Sequence, residues 1–260
     1  MRRNVSWSAW ALGAALSMLP TLVAAQTSAP VVAVLYFDNN SFGKDRADFD
    51  GLGKGIADLL INDMASNPGM RVVERDRVQS MLQEQELIRS KSIDAQTAVR
   101  LGKILGAQYM ITGGFMSDGK GTLVLTSRVI SVETSAITNP VKLQAKSDDV
   151  LGLIGQLSTK LNAELKLAPL PRQSGDAGVS KPADVGAGGT KPTGARVVPP
   201  ASAKSPKLDV RTALLYSKAL DEQDSGNPAK AAELYRAVLQ KFPDFSPAKA
   251  NLAKVGKPGN

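Results

Sequence analysis

Apolar positions change period along the chain, and the changes divide it into strands and helices. Val31 to Phe37 is a continuous apolar run, the pattern of a strand buried on both faces. A polar loop follows, and then Leu52, Ile56, Leu59, Leu60 and Met64 fall on one face of a helix. Asn67-Pro68-Gly69 stops that helix, and Met70 to Val73 reads as a second strand. Asp76, with Gln79 three residues on, suggests a capping box opening a helix through Val78, Met81 and Leu82. A third helix is expected from Asp94 through Ala98, Leu101 and Leu105 to a stop at Gly106.

Strand-like runs Gln108–Met116 and Thr122–Val132 flank Ser117-Asp118-Gly119-Lys120-Gly121, a hairpin signal. A turn at Glu133-Thr134-Ser135 leads to Ile137–Ala145. Pro140 has no ladder donor, so this strand should lie at an edge or break there. Ser147-Asp148-Asp149 opens a helix with the stripe Val150, Ile154, Leu157, Leu161 and Leu165. The order βαβααβββα implies an α/β fold, a mixed β-sheet flanked by helices.

Four segments result. Residues 1–25 place Arg2 and Arg3 before an apolar run and end in Val23-Ala24-Ala25, the order of a secretory signal cut between Ala25 and Gln26. The run is almost long enough for a membrane anchor, but Pro20 interrupts it. The paired arginines lack the usual company of a twin-arginine motif, which points to Sec export. Residues 31–168 form the α/β domain. Residues 169–207, rich in Pro, Gly, Ala and Lys, are too poor in large apolar side chains to offset ordering entropy, and suit a disordered linker. Residues 208–255 return to helical periodicity.

Composition narrows the chemistry. The chain has no Cys and no His, so disulfides, thiolate sites, imidazole bases and a lipid-attachment cysteine are all excluded. Carboxylates alone remain, and these mostly neighbour basic residues, which favours a binding or structural protein over an enzyme. No catalytic, cofactor-binding or metal-binding residue is expected, and no cofactor. The net charge of +8 is uneven: residues 31–168 carry 16 basic and 16 acidic groups. A neutral domain with a basic tether does not have the charge footprint of a nucleic-acid binder. Gly51-Leu52-Gly53-Lys54-Gly55 resembles a phosphate loop only superficially, because it lies a dozen residues beyond the strand and Lys54 is followed by glycine. Glu74, Arg75, Asp76 and Arg77 read as capping and surface or ring-interface ion pairing.

The segments VAVLYFDN (32–39), RVVERDRVQSMLQEQEL (71–87), GAQYMITGGF (106–115) and SRVISVETSAI (127–137) resemble the curli production assembly/transport component family, the CsgG-like proteins. The resemblance implies an α/β periplasmic domain that assembles into rings, and composition makes it non-catalytic. In channel-forming members a loop after the first strand carries constriction aromatics, which makes Phe42 and Phe49 the candidate ring-loop residues here. Those members also insert long membrane hairpins. A membrane strand needs about 9–11 residues, and neither Ser117–Gly121 nor the stretch from Ala136 to Asp149 has that room. A ring domain without its barrel, associated with the outer membrane peripherally and without a span, is the expectation.

GNPAKAAELYRAVLQKFPD (226–244) resembles the second half of a tetratricopeptide repeat, with a first helix over Leu215–Asp224. Ser246, followed by Pro247, should cap a further short helix. The resemblance implies a partner face at Tyr216, Leu220 and Gln223. Taken together these features suggest a homo-oligomeric periplasmic scaffold with protein partners in the cell envelope. The alternative is a regulator that activates a peptidoglycan synthase.

Overall fold

The computed structural model describes residues 29–87, 93–118, 121–165 and 207–256. The expected signal with its Ala25/Gln26 junction, the linker up to residue 206, and Gly119 and Lys120 of the hairpin connection lie outside the described residues.

Six described strands make one mixed sheet: β1 (Val31–Val34), β2 (Asp38–Asn39), β3 (Arg71–Val72), β4 (Tyr109–Ser117), β5 (Thr122–Ser131) and β6 (Val141–Lys146). Their spatial order is β3-β1-β4-β5-β6, with β2 paired to the far end of β4. β1 runs parallel to β3 and β4, while β4, β5 and β6 are antiparallel neighbours. Pro140 has the expected effect. Ile137 makes only an isolated bridge to Ile130, and β6 begins after the proline as an edge strand.

Alternation along the buried strands sends side chains to two cores. Val32, Val34, Ile111, Phe115, Leu123 and Leu125 face α1 (Leu52–Met64) and α4 (Val150–Glu164). Ala33, Leu35, Met110 and Ile130 face α2 (Arg75–Glu84) and α3 (Ala95–Leu105). Asp94 caps α3 by accepting from the Thr97 N–H, and Gly106 closes it in the left-handed conformation at φ 68°. Asp149 caps α4 through the Gly152 N–H.

Three helix starts differ from the sequence pattern. α2 begins at Arg75, with Glu74 in the cap position, so Asp76 sits in the first turn. Arg75 turns inward to buried carboxylates, and Gln79 accepts from the Tyr36 hydroxyl instead of completing a capping box. In the C-terminal region, α5 (Val210–Asp224) starts five residues before Leu215, because Asp209 accepts from the N–H groups of Arg211 and Thr212. α6 (Pro228–Lys241) follows a turn at Gly226, φ 76°, and α7 (Ser246–Val255) has Phe245 rather than Ser246 at its cap.

The C-terminal helices form a further layer on α1 and share its core. Tyr216, Leu220, Ala231, Tyr235 and Val238 are fully buried there, and burial of each larger side chain contributes roughly 1.5–3 kcal/mol. Backbone bonds from Val150 N to Leu208 O and from Val210 N to Ser147 O join the layer to the end of the sheet. The glycine-rich start of α1 makes this packing fit. A Cβ on Gly53 would lie 1.9 Å from the Phe37 carbonyl oxygen, and one on Gly55 would lie 2.0 Å from Ser217 Oγ.

Candidate functional site

Charge is buried where α1, α2 and α5 meet. Arg75, 3% exposed, projects from the first turn of α2. Its Nη1 donates to both oxygens of Asp224, at 2.9 and 2.7 Å, and its Nη2 donates to Asp76 Oδ1 at 2.5 Å. Nε lies 3.4 Å from Asp58 Oδ1 on α1. Asp58 Oδ2 accepts from Tyr216 Oη at 2.5 Å and from Asn62 Nδ2 at 3.0 Å, and Asn251 of α7 donates to Tyr216 Oη. Lys54 completes the cluster, 2.5 Å from Asp221 and 2.9 Å from Asp224, with its ammonium 5.4 Å from the centre of the Tyr36 ring.

The electrostatics follow from burial. Desolvation raises the Asp58 carboxyl above its ordinary range, against the opposing pull of the Tyr216 hydrogen bond and the Arg75 charge. Burial raises the Tyr216 hydroxyl too, and the neighbouring Asp58 carboxylate reinforces it. Burial disfavours the Arg75 charge, but bonding to Asp224 more than offsets that and keeps the guanidinium charged.

Chemically, this cluster is a clip. Three carboxylates, those of Asp58, Asp76 and Asp224, converge on Arg75, and the guanidinium engages all three in the place a water or a sugar would take between the acids of a glycosidase. The adjoining hollow, lined by Asp58, Asn62, Glu74, Arg75, Asn251 and Lys254, has a volume of about 60 Å³. That is room for a few waters, well short of a substrate pocket. No trio of acidic side chains among the described residues is placed to hold a metal ion.

A larger cleft of about 670 Å³ lies at the end of the sheet, lined by Phe49, Ser117, Asp148, Asp209, Arg211 and Leu214. It borders the β1–α1 loop. The expected ring-loop pair separates here: Phe49, at the end of a 3-10 helix (Lys44–Phe49), packs against the core, whereas Phe42 is 80% exposed. Ser41 anchors this loop by accepting from the Ser117 N–H at 2.9 Å.

The expected tetratricopeptide face is not a surface. Tyr216 and Leu220 are fully buried, with the Tyr216 ring against Tyr235 and Phe245 and its hydroxyl on Asp58 of α1, and Gln223 is half-buried, accepting from Tyr235 Oη. The face that would receive a partner in a repeat array is covered from within this chain, chiefly by the following helices. The Glu74–Arg77 run likewise divides: Glu74, Asp76 and Arg77 are exposed, while Arg75 belongs to the interior. Sequence reasoning missed Asp58 and Asp224 as Arg75's partners, since they lie 17 residues before it and 149 after it. The available signal was Asp58 itself, an acidic residue on the otherwise apolar face of α1.

Residues 18–122 match the family described as Curli production assembly/transport component CsgG. No curated protein matches the chain. Among solved structures, it resembles the LpoB C-terminal domain from Salmonella enterica at 17% identity, covering 47% of this chain and 87% of that one, with TM-score 0.35. A lipoprotein from Neisseria meningitidis aligns at 12% identity over 52% and 96% of the two chains, TM-score 0.37. The PelC dodecamer from Paraburkholderia phytofirmans aligns at 13% identity over 56% and 89%, TM-score 0.35. Likeness at this level identifies neither partner nor activity.

Proposed function

From the CsgG-family domain that the chain carries over residues 18–122, we propose that the protein is an exported, non-catalytic accessory scaffold of the cell envelope. It acts in a curli-like secretion or envelope-assembly system and self-associates through that domain. The family match is the observation that carries this reading. Two further features support it. The ionisable side chains of the interior are occupied in holding helices together. Phe42 stands exposed on the β1–α1 loop, at a position suited to a subunit contact.

The scaffold is peripheral to the membrane. No helix of the described residues is long and apolar enough to cross a bilayer, and the β4–β5 connection is too short to add membrane strands. Partner recruitment by the C-terminal helices uses the outer surfaces of α6 and α7, since the α5 face is covered. Affinity capture from envelope extracts with the mature chain tests the role. Secretion components among the captured proteins support it. Murein synthases in their place would replace it with the regulator reading.

A further inference from the structure

β6 is the last strand of the sheet, with β5 on one side and no described strand on the other. Its backbone has a definite outward set. Ser147 N donates to Gly121 O at 2.8 Å, and these two residues continue the Thr122–Lys146 register. In an antiparallel ladder bonded and unbonded pairs alternate, so Val141, Leu143 and Ala145 bond to β5. Lys142 and Gln144 therefore point their N–H and C=O groups away from the sheet. The same two residues, with Lys146, carry exposed side chains on the face opposite α1 and α4.

That face is cationic. Lys142 and Lys146 are four residues apart, about 13 Å along a strand. Arg128 of β5 is the exposed diagonal neighbour of Lys142, since Thr126 lies directly opposite it. None of the three forms an ion pair with a described residue, and Thr112, Thr122 and Thr126 supply a neutral surround. Strand edges with lysines and a preceding proline resist pairing with a copy of themselves. Here antiparallel pairing of two β6 strands centred on Gln144 would set Lys142 opposite Lys146 twice, a like-charge arrangement that weakens pairing.

We infer that the free edge of β6 is a docking site for an extended acidic segment of a partner protein, added as a further strand. Hydrogen bonds to the Lys142 and Gln144 backbone hold the segment, and carboxylates opposite Lys142 and Lys146 select it. The pattern it takes is acidic–apolar–polar–apolar–acidic. The apolar positions extend the face of Leu143 and Ala145, and the polar one faces Gln144. This inference goes beyond the scaffold reading and stands on β6 alone, independent of self-association.

The test is fluorescence anisotropy of two labelled peptides, with cores Glu-Val-Thr-Val-Glu and Lys-Val-Thr-Val-Lys, titrated with the mature full chain. The acidic peptide binds, more weakly at high salt, and the basic one does not. Lys142→Glu with Lys146→Glu reverses the preference and weakens the acidic peptide about tenfold, the factor that two cross-strand charge pairs of ordinary strength supply. Gln144→Pro removes an outward N–H that β5 does not use, so its melting temperature stays within a few degrees of wild type while peptide binding is lost. Absence of acidic-peptide binding, equal binding of both peptides, or binding unchanged in folded Gln144→Pro would overturn the inference.

Discussion

Tyr216 Oη donates to Asp58 Oδ2 at 2.5 Å across 158 residues of sequence, fixing the C-terminal helices to the first helix of the α/β domain. Its oxygen also accepts from Asn251 Nδ2, so removing one hydroxyl unpairs groups on two helices. Tyr216→Phe is expected to destabilise the protein by about 1–3 kcal/mol. Urea unfolding should show the loss in a single transition, because both layers share one core. Separate transitions for residues 31–165 and 207–256 would contradict the shared core.

The same pair makes stability depend on pH. The folded-state carboxyl of Asp58 is raised above the ordinary value of 3.8, so the folded state holds a proton more readily than the unfolded one. The resulting stabilisation is complete below the ordinary value and is lost as pH rises through the raised one. Asp58→Asn does not titrate. Wild-type stability relative to this variant should therefore increase as pH falls from neutrality toward 3.8, read by denaturant melts across that window.

Gly55 sets how closely α1 and α5 approach. A methyl group there would meet Ser217 Oγ at 2.0 Å and Ser217 Cβ at 3.2 Å. Ser217 is itself fully buried, so it has little room to yield. Gly55→Ala should lower stability by about 1–3 kcal/mol, and Ser217→Gly in the same chain should restore much of it. Thermal melts of the single and double variants check the coupling.

The two loop phenylalanines should respond differently. Phe49 packs against the core, and Phe49→Ala should cost about 1–3 kcal/mol, below the cost of truncating a fully buried phenylalanine. Phe42 is 80% exposed, so Phe42→Ala should leave the melting temperature in place and weaken self-association. Melting curves and sedimentation velocity on both variants separate the effects.

Elements whose cause is local were legible in the sequence. The Asp94 cap and Gly106 stop of α3, the break at Pro140 and the stripe of α4 each depend on residues within a turn or two of one another. Five of the six described strands and the α/β class follow from such runs, whereas β2, the polar pair Asp38–Asn39, has no such signal. The docking of α5 was not legible, because Tyr216 and Leu220 have the same helical spacing whether they face a partner or their own domain. Arg75 was misplaced for a related reason. A charged residue beside other charges looks like surface, and only the tertiary meeting with Asp58 and Asp224 makes its burial tolerable. The glycines before Ile56 suggested a phosphate loop in outline, whereas two of them admit close neighbours, the Phe37 backbone and Ser217.

Self-association through the region that matches the CsgG family is the claim on which the scaffold reading rests. Size-exclusion chromatography with light scattering on residues 26–260 tests it most directly. The expected result is an assembly of discrete mass, larger than a dimer, that persists on dilution and shrinks in Phe42→Ala. A strict monomer at high concentration would contradict it.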